Sequence, residues 1–232
     1  MKTAIMQPYF FPYIGYFQLI HSVDLFIIYD NIKYTKKGWI NRNRILENGK
    51  ERLISLPLKN DSDFLDIRER EISTNFSPKK LLNTIYKNYR KAPQLEIAFE
   101  QIERIVKYDE KNLFKFLYHS INVTCDYLKI KTPIIISSEV EIDHSLKGSD
   151  KVLALCKAVE TDIYINATGG FYLYSKLDFM RHKIDLKFIE SNSFEYQQYN
   201  NDFVPWLSII DVMMFNDVET IKNNLLTNIK FI

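Results

Sequence analysis

Cysteine, glycine and proline are scarce in this chain: two, six and seven residues among 232. The two cysteines, Cys125 and Cys156, have no metal-ligand spacing and lie in apolar surroundings, so they read as reduced, buried thiols. So few glycines and prolines leave no room for a low-complexity linker. The chain reads as a single α/β domain over residues 1–232, with a helical insertion at about 77–128. Charge of one sign is also missing, since 31 Lys and Arg stand against 29 Asp and Glu. A net charge of +2 argues against polyanion binding by the whole surface and leaves local basic patches open. No apolar run approaches the ~18 residues of a membrane span. The opening MKTAIMQPYFF has neither the apolar core nor the cleavage site of a signal peptide, so a cytoplasmic location is expected. Neither GxGxxG nor GxxxxGKS occurs, which excludes the usual Rossmann and P-loop fingerprints. Asp30, Asp143, Asp162 and Asp211 are spread along the chain, and no metal site is expected.

Chemistry-bearing residues concentrate at the N-terminus. Thr3 to Met6 reads as a buried strand that ends at Gln7 and a turn bracketed by Pro8 and Pro12. Gly15 to His21 reads as a helix, and Val23 to Asp30 as a second strand. That order is a βαβ unit with parallel strands, whose ligands bind in loops at the strands' carboxyl ends. The block Asn31 to Ile45 follows, with Lys33, Lys36, Lys37, Arg42 and Arg44 interleaved with Tyr34, Trp39, Asn41 and Asn43. Such a mixture suits phosphate oxygens beside an aromatic face for a sugar or base. It equally suits a basic surface hairpin, because Glu47-Asn48-Gly49-Lys50 is a good turn before a returning strand near Leu53 to Leu58.

Helical periodicity over Lys79–Arg90, Leu95–Val106 and Asn112–Leu128 predicts a scaffold of helices, with His119 a surface or packed residue. Strands resume at 133–136, where Ser137 and Ser138 would bind phosphate or cap the turn. The strand Asp162 to Ile165 ends in Asn166-Ala167-Thr168-Gly169-Gly170. Paired glycines let a backbone approach a ligand closely, and their amides can cradle an anion. A strand at Leu186 to Ile189 closes the α/β pattern. Asp211, in the first turn of a helix from Ser208, reads as a cap or dipole partner. The expected fold is therefore a predominantly parallel sheet with flanking helices.

Four separated blocks carry a resemblance that runs nearly end to end: MQPYFFPYIGYFQLI, VDLFIIYDNIKYTKKGWINRN, INATGG followed by LY, and FVPWLSIIDVMMFN. In these the sequence is similar to the WbqC-like protein family. The resemblance implies a place in bacterial polysaccharide clusters, especially O-antigen loci, and a transferase that attaches glycine to an amino-sugar. A weaker resemblance links the first βαβ unit to the nucleotidylyltransferase and pantothenate-synthetase superfamily, whose T/H-x-G-H motif stabilises the phosphates of ATP. Tyr13, Ile14, Gly15 and Tyr16 stand at that motif here. Phenols replace its imidazoles, which removes a cationic donor and puts adenylyl transfer in doubt.

The expected reaction is acyl or aminoacyl transfer onto the amine of a dTDP- or UDP-linked amino-sugar, with ATP the other nucleotide considered. Lys33, Lys37, Arg42 and Arg44 would cradle phosphates, and Tyr9, Tyr13, Tyr34 and Trp39 would offer a surface for sugar and base. Gln7, Asn41, Asn43 and Asn166 would fix orientation, with Gly169 and Gly170 lending backbone amides. Asp30 is the expected base, as a carboxylate kept ionised by Lys33 and Lys37. Gln7 and Tyr16 are the other residues expected at the reacting centre. No Ser-His-Asp or Cys-His arrangement can be argued from spacing, which disfavours a covalent acyl-enzyme. Two other readings stand beside this one. The first is a non-catalytic nucleotide-sugar- or carbohydrate-binding accessory protein. The second is a transferase that takes its acyl group from a charged tRNA, the one nucleic acid considered as a partner.

Overall fold

The computed structural model describes all 232 residues, Met1–Ile232. Apolar runs bounded by turns give β1 (Lys2–Met6) and β2 (Leu25–Ile28), with α1 (Ile14–His21) between them. A hairpin follows, β3 (Arg42–Glu47) and β4 (Lys50–Ser55), turning through Asn48 and Gly49, both at positive φ. Next come α2 (Pro78–Tyr89), α3 (Leu95–Val106) and α4 (Leu113–Tyr127). Ser77 caps α2 by accepting from the Lys80 amide, and Asn112 caps α4 through the Lys115 amide. The chain returns through β5 (Ile134–Ile136), α5 (Gly148–Ala158), β6 (Ile163–Ala167), α6 (Lys176–Arg181) and β7 (Asp185–Ser191). It ends with α7 (Ile209–Phe215) and β8 (Ile229–Phe231).

The main sheet has strand order β5-β2-β1-β6-β7-β8. Every neighbouring pair is parallel except β7 with β8. The expected parallel α/β sheet is therefore present, with one correction. Strand β7 is not the last, because Ile229–Phe231 adds an antiparallel edge. That short run follows a polar turn and carries too little periodicity to be read as a strand.

Alternation along each strand sends neighbouring side chains to opposite faces. Ala4, Phe26, Ile28, Ile165 and Ile189 join a large apolar cluster with α1, α2, α3, α4 and α7. Ile5, Ile27, Tyr164, Leu186 and Phe188 join a smaller one with α5 and α6. Both faces are covered, which is why β2 is wholly apolar and β1 and β6 are largely so. The predicted helical section packs into the same core as α1 and α7, through buried Leu82, Ile85, Ile102, Phe116 and Ile121.

Candidate functional site

Strand order reverses at β1. From it the chain moves outward to β2 and β5, then returns to the other side of β1 to lay down β6 and β7. Helix N-termini and loops diverge at such a point and leave a crevice beyond the carboxyl ends of the strands. A cavity of about 760 Å³ lies there, within the usual size range of small-molecule sites. Its walls come from Gln7 and Tyr9 after β1, from Tyr13, Gly15 and Tyr16 at the start of α1, and from Asn166, Gly169 and Gly170 at and beyond the end of β6. Glu190 and Ser191 at the end of β7, Trp39 just before the hairpin, Asn43 and Arg44 in it, and Trp206 complete it.

Sequence blocks far apart in the chain are knotted together behind this cavity. The Asn43 amide nitrogen donates to the carbonyls of Phe10 at 3.1 Å and Phe11 at 2.8 Å. Its carbonyl oxygen accepts from the Arg44 amide at 2.8 Å. Ser208 donates its hydroxyl to the Phe11 carbonyl at 2.9 Å, and its amide bonds Arg44 O at 2.8 Å. The Ile209 amide reaches Pro12 O at 2.8 Å. These bonds hold Phe11 at φ 42°, and Trp206 lies at φ 61°, a region uncommon for bulky residues. Such backbone persists only where its surroundings fix it.

Several donors in the cavity lining have no protein acceptor. The Tyr16 hydroxyl and Arg44 Nε are buried and unpartnered. Asn166 is buried, and its Oδ1 accepts from the Ala167 amide at 2.8 Å, leaving Nδ2 without a protein acceptor. Arg44 otherwise donates to Glu51 at 2.6 Å and to Trp206 O at 3.3 Å, with its guanidinium 5.0 Å from the Trp39 ring centre. Gln7 Nε2 donates to the Tyr9 hydroxyl at 2.9 Å. Glu190, the cavity's one carboxylate, pairs with Lys230 at 2.7 Å. Burial pushes the Tyr13 hydroxyl up to about 12 and the Tyr16 hydroxyl well above its ordinary value. Both are therefore neutral donors at physiological pH. Tyr13 also packs against Trp206 at 5.1 Å and stacks with Phe194 at 6.5 Å.

Of the residues expected from sequence, Gln7, Tyr9, Tyr13, Tyr16, Trp39, Asn43, Arg44, Asn166, Gly169 and Gly170 all line this cavity. The remaining six, Asp30, Lys33, Tyr34, Lys37, Asn41 and Arg42, do not. Asp30 is buried at the end of β2, where Ser137 donates at 2.8 Å, and Ser138 donates its hydroxyl at 2.7 Å and its amide at 3.0 Å. The two serines thus bind Asp30 rather than a phosphate. Lys33 lies over the Phe64 ring at 4.8 Å, and exposed Lys37 makes no ion pair. Arg42 is spent on the backbone, donating to Gly38 O at 2.9 Å and to Lys37 O. Asn41 donates to Leu56 O at 2.8 Å and accepts from Tyr34 at 2.9 Å, so both residues are structural. Only Arg44 of the basic block's cations reaches the cavity: it shares a face of β3 with Arg42, whose guanidinium instead folds back onto the carbonyls of Lys37 and Gly38.

Glu190 and Trp206 are functional candidates that sequence reasoning missed. A signal existed for Glu190. Like Gln7 and Asn166, it is the polar residue that follows a buried apolar run at the carboxyl end of a strand. Asp211 stands in the first turn of α7 as expected, but Ser208 is the cap and the Asp211 carboxylate bonds side chains instead. It is fully buried and accepts from Tyr89, Tyr196 and Gln198, each at 2.7 Å.

The decisive observation is that the opening block, the hairpin block, the NATGG turn and the C-terminal PWLS segment all meet at one cavity. The WbqC-like protein family profile matches residues 7–223. The chain belongs to that family. Over 218 residues this WbqC-like chain is 29% identical to "Uncharacterized protein Rv1507c" of Mycobacterium tuberculosis (strain ATCC 25618 / H37Rv), covering 93% of each chain. No solved structure matches it. No helix of the WbqC-like chain is long and apolar enough to cross a membrane.

Proposed function

We propose that this WbqC-like protein transfers an acyl or aminoacyl group, glycyl foremost, onto the amine of a nucleotide-activated amino-sugar. In this reading the product enters bacterial surface polysaccharide of the O-antigen type. The observation that carries the reading is one aromatic-walled cavity at the switch point, lined by Arg44 beside Trp39 and by Asn166, whose Nδ2 has no protein acceptor. A sugar linked to a diphosphate is rich in acceptors and stacks on aromatic faces.

The amine nitrogen attacks the carbonyl carbon of an activated acyl donor. A carbon–nitrogen bond forms, the bond to the leaving group breaks, and the amine releases one proton. Glu190, rather than Asp30, is the carboxylate in reach of the cavity and takes that proton. Asp30 holds the β2 and β5 loops together through its serines. A thiol acyl-carrier is not part of the scheme. Burial pushes the thiols of Cys125 and Cys156 up to about 12, and neither lines the cavity.

The test is incubation with UDP- and dTDP-amino-sugars and, in separate reactions, glycine with ATP, a glycyl thioester and glycyl-tRNA, followed by mass spectrometry. One added glycyl group on the sugar is expected, with a large loss of turnover in Glu190→Gln. Tight binding of the nucleotide-sugar with no product from any donor would replace the catalytic reading by an accessory binding role.

A further inference from the structure

The segment between β6 and β7 carries a feature that the cavity does not explain. Phe171, Tyr172, Leu173, Leu177 and Met180 are all exposed within ten residues of chain. Tyr172 is 96% exposed, and Leu173, Leu177 and Met180 are each 65–68% exposed. Tyr174 is half-buried, and only one position in the stretch is buried completely. Phe179 is fully buried in α6 and stacks on Tyr164 at 5.3 Å, which fixes the helix with Leu177 and Met180 outward. These two residues, three apart, share the outer face of α6. Clustered exposed apolar side chains of this kind mark an interaction surface.

Charge around the patch selects the partner. Three carboxylates lie between residues 171 and 191, and each already holds a cation: Asp178 with Arg181, Asp185 with Lys187, and Glu190 with Lys230. Lys176 and Lys183, at the two ends of α6, make no ion pair. The surface therefore combines protruding Tyr, Leu and Met side chains with uncompensated lysines. In an isologous contact these lysines would need carboxylates from the same face of a second copy, and the three in this segment are already paired. A negatively charged lipid surface satisfies both features at once.

We infer that this face, Phe171 to Lys183, docks the protein peripherally on an anionic bilayer. Tyr172, Leu173, Leu177 and Met180 enter the interfacial layer, and Lys176 and Lys183 meet the headgroups. Thr168, Gly169, Gly170 and Leu173 of the same segment line the cavity, so docking brings the mouth of the cavity to the lipid surface. The inference does not depend on which ligand the cavity holds.

The experiment is co-sedimentation of the full chain with vesicles of phosphatidylglycerol and phosphatidylethanolamine, and with vesicles of phosphatidylcholine alone. Wild type is expected to sediment with the anionic vesicles only, and less so as salt rises. Leu177→Glu/Met180→Glu should lower that binding at least about tenfold, and Lys176→Glu/Lys183→Glu should lower it as well. Unchanged thermal melting would show that both variants are folded, as expected for exposed positions. Absence of sedimentation with anionic vesicles would overturn the inference, as would equal binding by Leu177→Glu/Met180→Glu. A dimer seen by light scattering and abolished by Leu177→Glu/Met180→Glu would assign the face to a second copy instead.

Discussion

Alanine at Gly170 tests the packing of the site at its tightest point. A Cβ added there would lie 2.6 Å from Asn166 Nδ2 and 3.2 Å from its Cγ. Asn166 has little freedom to retreat, since it is buried and its Oδ1 is held by the Ala167 amide at 2.8 Å. Overpacking of this kind costs about 1–3 kcal/mol. For a chain of this length each kcal/mol moves Tm by roughly 2–4 °C, so Gly170→Ala should melt roughly 2–12 °C lower. The neighbouring glycine is the internal control, because nothing lies within 4 Å of a Cβ at Gly169. Neither glycine has a positive φ, so backbone strain does not separate them. Gly169→Ala should stay within about 0.5 kcal/mol of wild type. Differential scanning calorimetry of the two variants decides the matter. Equal melting temperatures would refute the claim that Asn166 is wedged against the Gly170 backbone, and with it the fixed placement of Nδ2.

Burial raises the Asp211 carboxyl above its ordinary value, with the donors Tyr196, Tyr89 and Gln198 pulling the other way. The folded state therefore holds this proton more tightly than the unfolded chain does. Its contribution to stability is largest below the ordinary carboxylate range and is lost as pH rises through the folded-state value. Urea unfolding at several pH values should show wild type losing ground to Asp211→Asn as pH rises through that window, and a constant difference would contradict the sign. Asp211→Ala leaves three donors without an acceptor and should cost at least about 3 kcal/mol. Asn41→Ala should cost about 1–3 kcal/mol through its lost bonds to Leu56 O and Tyr34. Gln7→Ala loses only the bond to Tyr9 and should impair ligand binding with little change in melting. Reversal of that order in paired melting and binding measurements would move Asn41 into the site.

Strands β1, β2 and β6 were legible because each is an apolar run of strand length bounded by turn residues. The helices α2, α3 and α4 were legible from their spacing and from Ser77 and Asn112 as caps. The carboxyl-end loops followed from the βαβ order, and so did most of the cavity lining. What composition could not resolve was the direction of individual side chains in the 33–44 block. Arg42 and Arg44 look equivalent in sequence, yet one is bound to the carbonyls of Lys37 and Gly38 while the other lines the cavity. Asp30 was misplaced for a similar reason. Its partners Ser137 and Ser138 come from the turn after β5, more than a hundred residues away, and only the β2–β5 pairing brings them together. Strand β8 was hidden because its three residues gain their order from the edge of β7.

The most direct test is a thermal-shift titration with a UDP- or dTDP-amino-sugar on wild type, Arg44→Ala and Lys37→Ala. A ligand at about a hundred times its Kd stabilises the folded state by about 2.7 kcal/mol, or roughly 5–11 °C for a chain of this length. The full shift is expected in Lys37→Ala and a much smaller one in Arg44→Ala, since only Arg44 lines the cavity. A shift lost in Lys37→Ala and kept in Arg44→Ala, or no shift in wild type with either nucleotide-sugar, would contradict binding at the β1–β6 switch point.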